Sequence, residues 1–257
     1  MYYAPHGEDR ILSVIFSGKP SGTCVEVGAF DGVLNSNTLY FEERGWECLL
    51  VEANPQLSEI IRKRRRAKVV QCAISDTAGV ARLYSGAGAP DLATIDASPS
   101  RLAKIASVSQ MVQTIEVESR TLDQVLEEAG VRNIDFISID VEGHEQAALR
   151  GFDLNRWRPT VVILENNEHV EPPSIRAEMR KAGYHRVFRT GCNDWYCHRE
   201  NRELGSFWRF WRRSGVAADY ALLRAAVAVL LPGGLVKRIL RLKAWARPLR
   251  GNTCQQM

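Results

Sequence analysis

Two short acidic segments, each at the end of an apolar run, are the residues best suited to chemistry. The first runs from Val25 to Gly32 and reads VEVGAFDG; the second runs from Leu49 to Pro55 and reads LLVEANP. Such apolar runs predict buried parallel strands, whose carboxyl ends meet at one edge of a sheet. Glycine admits a ligand close to the main chain, and a carboxylate accepts hydrogen bonds from both ribose hydroxyls. The pair predicts a nucleoside pocket; the alternative is an ordinary tight turn followed by a solvated acid.

The glycine spacing in the first segment indicates which nucleotide this pocket takes. A dinucleotide fingerprint needs G-x-G-x-x-G, so that a pyrophosphate reaches the helix N-terminus. Here Gly28 is followed by alanine and phenylalanine instead. Glu26 and Asp31 also lie where phosphate oxygens would come. Because these acids disfavour an anion and favour an amine or a sulfonium, the segment predicts S-adenosylmethionine rather than NAD or ATP.

A second group of polar residues follows two later apolar runs. Asp140 ends the first of these runs and Glu165 and Asn166 end the second, with Glu142 and His144 just beyond Asp140. Ligands of open α/β sheets bind outside the carboxyl ends of strands. The oxygens of Asp140, Glu165 and Asn166 suit Mg²⁺ or a similar cation, the alternative being helix caps or pairs with arginine. His144 is a candidate base toward a hydroxyl, or a helix N-terminal residue bonded to Asp140.

The composition is that of an ordinary folded protein. Its 257 residues carry a net charge of +4, with 45% hydrophobic and 25% charged residues, which suits one α/β domain and an appendage. The six cysteines form no C-x-x-C pair, and Cys192, Cys197 and His198 have no second pair to complete a zinc site. A reducing compartment is therefore expected, and the polar start shows no secretory signal. The expected location is cytoplasmic, or peripheral at the inner membrane surface.

Alternating strand and helix patterns place the acids in one sheet. The predicted strands are Cys24–Val27, Cys48–Glu52, Val69–Ile74, Ile134–Asp140 and Thr160–Leu164. Continuous apolar strands separated by helical segments predict a parallel sheet covered on both faces. The segments Arg186–Phe188 and Trp195–His198 predict a hairpin that places the last strand antiparallel at or near one edge.

Two further segments have unusual compositions. Ser85–Gln113 is rich in Gly, Ala, Ser and Pro, and predicts a long loop that acts as an acceptor-binding lid. The basic run Arg62–Lys68 ends a predicted helix, where cations suit the dipole. Because no aromatic platform accompanies it, the run predicts a solvated helix end rather than a nucleic-acid site.

The carboxyl-terminal segment 206–257 differs from the domain predicted over 1–205. Between Phe207 and Arg250, basic residues alternate with aromatic and aliphatic ones, and Asp219 is the single acid. Its apolar run is shorter than the roughly 20 residues that span a bilayer. We expect a basic helical extension that contacts an anionic membrane surface, packs on the body, forms a homodimer or binds an anionic polymer.

Taken in order, these motifs resemble the FkbM-type family of S-adenosylmethionine-dependent methyltransferases. The matching motifs are EVGAFDG at 26–32, SNT at 36–38, VEANP at 51–55, AISD at 73–76, SRTLD at 119–123, IDVEGHE at 139–145 and NDW at 193–195. The resemblance implies a Rossmann-like, seven-stranded class I methyltransferase sheet. It also implies O-methylation of a sugar or polyketide hydroxyl.

The resemblance assigns roles to individual residues. It places Glu26, Gly28 and Gly32 at the methionine end of the donor, Glu52 at the ribose and Asp76 near the adenine. It adds Asp31, Asn37, Ser75 and Asp140 to the cofactor-binding residues, and Asp140, Glu142 and His144 are the catalytic candidates. The trio Asp140, Glu165 and Asn166 is more loosely similar to the metal site of catechol O-methyltransferase.

The expected function is methyl transfer from S-adenosylmethionine to a hydroxyl of a carbohydrate, glycolipid or related natural product. Sulfonium methyl transfer is an in-line displacement, so the protein mainly aligns donor and acceptor. A cation would lower the pKa of the hydroxyl; otherwise His144 or Glu142 acts as base. The alternative is a non-catalytic scaffold with a methyltransferase fold, recruited through its tail. The missing middle glycine disfavours a nicotinamide oxidoreductase.

Overall fold

Strands and helices alternate along most of the chain. The computed structural model describes residues 1–86, 89–109, 111–167, 170–202 and 204, so the predicted extension over 206–257 lies outside the described residues. The helices are α1 (Glu8–Ile15), α2 (Leu39–Glu42), α3 (Pro55–Arg64), α4 (Pro99–Val108), α5 (Leu122–Ala129), α6 (Glu145–Arg150), α7 (Leu154–Trp157) and α8 (Pro173–Lys181). The strands are β1 (Thr23–Val27), β2 (Glu47–Glu52), β3 (Lys68–Gln71), β4 (Ala73–Ile74), β5 (Gly79–Gly86), β6 (Ala89–Thr94), β7 (Val112–Arg120), β8 (Phe136–Ile139), β9 (Val161–Glu165), β10 (Tyr184–Thr190) and β11 (Asn193–His198).

Seven strands form the central sheet, in the order β10-β11-β9-β8-β1-β2-β3. The strands from β9 to β3 pair in parallel, whereas β11 is antiparallel to both of its neighbours. The predicted α/β class, with a mostly parallel sheet and an antiparallel carboxyl-terminal hairpin, is confirmed. Strand order reverses at β1, which lies between β2 and β8, and a crevice opens at such a switch point beyond the carboxyl ends.

Alternate residues of the central strands face two different helical layers, because side chains alternate along a strand. Val25 and Ile137 belong to one buried cluster with residues of α5 to α8. Cys24 and Phe136 belong to another with residues of α1 and α2, where the ring centroids of Phe136 and Phe41 are 4.8 Å apart. Covering on both faces is why these strands are continuous apolar runs in the sequence.

A second, four-stranded sheet has the order β4-β7-β5-β6, and of its strands only β6 lies wholly inside the segment that the sequence predicted as a long loop. The prediction of a loop over Ser85–Gln113 was wrong, because this segment contains β6 and α4. Pro99 at the start of α4 is a helix-start signal within a composition otherwise typical of loops. The predicted strand Val69–Ile74 is also divided, because the chain leaves the central sheet after Gln71 and Ala73–Ile74 pairs with β7.

The basic run at the end of α3 is only partly solvated. Arg62 and Arg64 are exposed and pair with Glu59 and Asp31, but the side chain of Arg65 is fully buried. The helix ends at Arg64, and the extended backbone of Arg65 (φ −116°, ψ 148°) departs from the helical path. The expectation that the whole run is solvated was therefore wrong for Arg65.

None of the helices in the described part of the chain has the length and apolar character that crossing a bilayer requires.

Candidate active site

A cleft of about 1180 Å³ lies beyond the carboxyl ends of β1, β2, β8 and β9. Its walls include the predicted residues Glu26, Gly28, Asn37, Glu52, Asp140, Glu142 and Glu165. The cleft exceeds the roughly 300–1,000 Å³ typical of a pocket for one small molecule. The cleft is therefore large enough for more than one small molecule.

Gly28 brings the ends of two neighbouring strands into contact. Its N–H donates to Val51 O at 2.9 Å, and Asp140 N donates to Val27 O at 3.0 Å. Gly28 has φ +80°, and a Cβ there would lie 1.7 Å from Asp140 O. The sequence ascribed this glycine to close approach of a ligand, but its first requirement is the close approach of the β8 backbone.

Glu26 is buried at the end of β1 and is held by the loop before α2. Its carboxylate accepts hydrogen bonds from Ser36 Oγ at 2.8 Å, from Asn37 N at 2.7 Å and from Thr38 Oγ1. The amide of Asn37 in turn donates to Ser138 Oγ at 2.9 Å. These hydrogen bonds fix the orientation of the Glu26 carboxylate, and a preorganised group of this kind favours tight binding of a ligand.

Glu52 is buried at the end of β2, and each of its carboxylate oxygens accepts one backbone hydrogen bond. The donors are Phe30 N and Asn54 N, both at 2.9 Å. Burial raises the pKa of Glu52 to about 7, although these hydrogen bonds oppose the shift. Carboxylate oxygens have further lone pairs, so Glu52 can also accept from a ribose diol.

Four of the residues predicted to bind S-adenosylmethionine do not line the cleft. The carboxylate of Asp31 accepts from Val33 N and Leu34 N, both at 2.8 Å, and pairs with Arg64 at 2.5 Å. Gly32 faces the side chains of Arg65 and Ile61. Ser75 and Asp76 lie just after β4, which supplies Ala73 and Ile74 to the cleft wall instead.

Acids crowd together on the opposite wall, where β8 and β9 end. Asp140, Glu145 and Glu165 bring carboxylate oxygens within 4.8 Å of one another. Desolvation in the cleft wall and the charge of Glu165 raise the pKa of Asp140 above its ordinary value, although the residue is exposed in the cleft. Burial and the neighbouring acids Glu142 and Glu145 raise the pKa of Glu165 to about 7. Because like charges this close repel one another, each carboxyl takes up a proton more readily than an isolated one.

The predicted metal trio is not assembled as the sequence suggested. The side-chain amide of Asn166 donates to Asp194 Oδ2 at 2.8 Å and to Val170 O at 3.3 Å. The third residue beside Asp140 and Glu165 is Glu145 instead of Asn166. One oxygen of Glu145 already accepts from Gly143 N at 3.0 Å and from Val141 N at 3.2 Å. The predicted trio is therefore corrected: the oxygens that could hold a cation are those of Asp140, Glu145 and Glu165 rather than that of Asn166.

Helix α4 supplies three cleft residues that the sequence did not identify, Ser100, Arg101 and Lys104. Glu142 Oε2 accepts from Arg101 at 2.9 Å and from Lys104 at 3.1 Å. Glu142 O also accepts from Thr94 Oγ1 at 2.8 Å. These contacts span about 40 residues of sequence, and the only local signal was the pair of cations in the Ser85–Gln113 segment. Because Glu142 is engaged by two cations, it is a poorer candidate base than the Asp140–Glu165 pair.

His144 lies away from the residues that line the cleft. Its Nε2 is 3.0 Å from Ser75 Oγ, and burial lowers its pKa. Neither the predicted contact with Asp140 nor a side-chain cap on α6 is present. The catalytic role of His144 stays a prediction, tested below.

The amino-terminal segment completes one rim of the cleft with Pro5 and His6. It is anchored by buried Glu8, which accepts from Thr190 Oγ1 at 2.6 Å and from Asn193 Nδ2 at 3.0 Å. Sequence reasoning missed these rim residues because the anchoring contacts join opposite ends of the domain.

The sheet order and the two acidic walls define the class of protein as an S-adenosylmethionine-dependent methyltransferase. The model of the methyltransferase FkbM domain matches residues 26–186, and the chain belongs to the FkbM family. The donor predicted from the glycine and acid spacing is thus the donor of the family to which the chain belongs.

Solved structures with a similar fold share little sequence with this chain. A TehB-like SAM-dependent methyltransferase from Corynebacterium glutamicum is 13% identical, with a TM-score of 0.38 over 75% of this chain and 88% of that one. The ribosomal protein L11 methylase from Lactobacillus delbrueckii subsp. bulgaricus is 10% identical, with a TM-score of 0.42 over 73% and 74%. A precorrin-6y C5,15-methyltransferase from Geobacter metallireducens is 10% identical, with a TM-score of 0.37 over 73% and 84%. No curated protein matches the sequence.

Proposed function

We propose that the protein transfers a methyl group from S-adenosylmethionine to a hydroxyl of a carbohydrate, glycolipid or related natural product. The observation that carries this proposal is the close approach of the carboxylates of Asp140, Glu145 and Glu165, whose oxygens lie within 4.8 Å of one another on the wall opposite Glu52. A hydroxyl must lose its proton as it attacks the methyl group. A carboxyl pair with raised pKa values is suited to accept that proton near neutral pH.

The donor wall supports the same assignment. Glu52 is placed to hold the ribose, and Glu26 carries negative charge toward the cationic methionine end of the donor. The acceptor hydroxyl would then approach from the side of β8 and β9, in line with the methyl–sulfur bond. The residues contribute alignment of donor and acceptor and a proton acceptor.

Calorimetric titration with S-adenosylmethionine is the first test, and micromolar binding with one site is expected of a natural donor. Absence of binding by a folded sample would overturn the proposal and would favour a scaffold protein. The second test incubates the protein with methyl-labelled donor and a panel of glycans, glycolipids, phenols, amines and carboxylates.

The linkage formed in the panel identifies the acceptor group. Label in a methyl ether that survives alkali is expected, because ethers resist base whereas methyl esters hydrolyse. Label confined to amines or to alkali-labile esters would contradict hydroxyl transfer.

Turnover measured in the presence of a chelator distinguishes a carboxylate base from a metal ion as the group that activates the hydroxyl. With Asp140 and Glu165 as the proton acceptor, turnover in EDTA equals turnover without it. Loss of activity that Mg²⁺ restores would instead assign the acidic wall to a cation. Contact of the predicted basic extension with a membrane or a second subunit remains a separate prediction.

A further inference from the structure

Arg65 is an arginine whose side chain is fully buried behind the donor wall, although it belongs to a basic run on an otherwise exposed helix end. Its Nε donates to Glu42 Oε2 at 2.9 Å. Glu42 also accepts from Arg66 N at 2.9 Å and from Ala67 N at 3.2 Å. The pair is thus charge-balanced and hydrogen-bonded, as a buried ion pair must be to persist.

The other two nitrogens of the Arg65 guanidinium contact two separate parts of the loop between β1 and α2. Nη1 donates to Gly32 O and, at 3.2 Å, to Ser36 Oγ, while Nη2 donates to Thr38 Oγ1 at 3.1 Å. A Cβ on Gly32 would lie 3.1 Å from Arg65 Cγ, so the turn rests directly on this side chain. One planar group therefore spans the loop on both sides of residues 33–35.

The two hydroxyls that accept from Arg65 also donate to Glu26. An arginine only donates hydrogen bonds and an ionised carboxylate only accepts them. Each of the two hydroxyls therefore accepts from Arg65 and donates to Glu26, which links the two charged groups. Such a chain polarises its members in one direction and fixes the carboxylate that lines the cleft. No other described basic side chain donates a hydrogen bond to this set of hydroxyls.

We propose that Arg65 is a positioning residue for the methyl donor, acting through Ser36, Thr38 and Glu26 on its amino acid arm. The inference rests on the proposed function, because it takes S-adenosylmethionine as the ligand of this wall. Arg65 itself touches no ligand. It sets the place and charge environment of Glu26, while Glu52 holds the ribose independently from β2.

The test compares two ligands that differ in the amino acid arm. S-adenosylhomocysteine carries the arm that Glu26 faces, whereas 5′-methylthioadenosine lacks it. The first variant is Arg65→Lys, which keeps the positive charge but loses the planar set of N–H donors. The second is Thr38→Val, which removes one of the two hydroxyls that connect Arg65 to Glu26. Thr38→Val is the milder change, because the Thr38 side chain makes no cap bond on α2.

Both variants are expected to weaken S-adenosylhomocysteine binding about tenfold or more, while methylthioadenosine binding changes by less than about twofold. Arg62→Gln is the matched control, since Arg62 is an exposed neighbour in the same basic run, and should leave both affinities unchanged. Met179→Ala on α8 controls for stability alone: it should lower the melting temperature without separating the two ligands.

Equal loss of both ligands in a folded Arg65→Lys or Thr38→Val protein would reduce Arg65 to a structural residue and overturn the inference. Unchanged affinity for S-adenosylhomocysteine would overturn it too. Failure of the unaltered protein to bind S-adenosylhomocysteine at all is a different result, because it removes the proposed function itself.

Discussion

The acids on the two walls of the cleft have different neighbours. We call the ends of β1 and β2 the donor wall and the ends of β8 and β9 the acceptor wall. On the donor wall, the carboxylates of Glu26 and Glu52 each accept hydrogen bonds from nearby backbone or hydroxyl donors. On the acceptor wall, Asp140 and Glu165 face one another and other acids, and their pKa values are raised. Burial raises the pKa of Glu52 too, so the difference between the walls lies in what surrounds each acid. Hydrogen-bond donors hold Glu52 and Glu26 in place, as suits binding, whereas other carboxylates crowd Asp140 and Glu165, as suits accepting a proton.

Replacing Asp140 should give the largest effect and most directly tests the division between walls. Asp140→Asn is expected to lower turnover about 10³-fold, within the range that loss of a proton acceptor costs. Affinity for S-adenosylhomocysteine should stay within about threefold, because donor binding depends on the other wall. Steady-state kinetics on the acceptor found in the panel, together with calorimetry, measures both.

His144→Asn is the companion variant, since it changes a residue that bonds Ser75 outside the cleft. Its turnover is expected to fall less than about threefold. A severe loss in His144→Asn with near-normal Asp140→Asn would restore His144 as the base and break the comparison.

Gly28→Ala tests how closely the two walls are joined. A Cβ at Gly28 would meet the backbone of Asp140, so we expect the free energy of unfolding to fall by about 3 kcal/mol or more. Gly130→Ala shares a positive φ of +75° but meets nothing within 4 Å, and should cost only about 1 kcal/mol of backbone strain. Denaturant unfolding measures both, and equal losses would mean that the Gly28–Asp140 contact is unimportant.

Glu52→Gln examines the donor wall alone. Charged hydrogen bonds to a ribose are each worth about 1.5–3 kcal/mol, so affinity for S-adenosylmethionine should fall about 30-fold. Turnover at saturating donor should change little. A drop in turnover with normal affinity would place Glu52 in the chemistry rather than in binding.

The smallest expected effect is a pH dependence of stability. Burial raises the pKa of Glu52 to about 7 and that of Asp9 to about 6, so the folded protein binds more protons than the unfolded chain below those values. Stability should therefore rise as pH falls from 8 to about 5, by about 1–2 kcal/mol for each group. Unfolding curves at the two pH values test this, and Glu52→Gln should remove its share. A stability that falls over this range would contradict the burial of these acids.

The sequence predicted the acids that end the strands on both walls, because those motifs are local. Glu26 and Glu52 each end a continuous apolar strand, and parallel pairing brings such ends together. The sequence also placed Asp140 and Glu165 at neighbouring strand ends. It could not predict that Asn166 turns to Asp194, because that contact depends on the register of β9 with β11.

Long-range pairings explain the remaining differences. Arg65 is an unremarkable member of a basic run until its extended backbone and the buried Glu42 are known. Helix α4 was hidden because its Gly, Ala, Ser and Pro surroundings are typical of loops. The contribution of α4 to the cleft depends on the ion pairs of Arg101 and Lys104 with Glu142, which is about 40 residues away in the sequence.

The second sheet leaves and rejoins the domain at adjacent points, since β4 runs beside the end of β7 and Ser75 N donates to Arg120 O at 2.9 Å. Residues 76–119 are therefore a self-closed excursion whose length does not disturb the register of the central strands. Because the segment both closes on itself and supplies Thr94, Arg101 and Lys104 to the cleft wall, a change of its length would alter the cleft while leaving the pairing of the central strands intact.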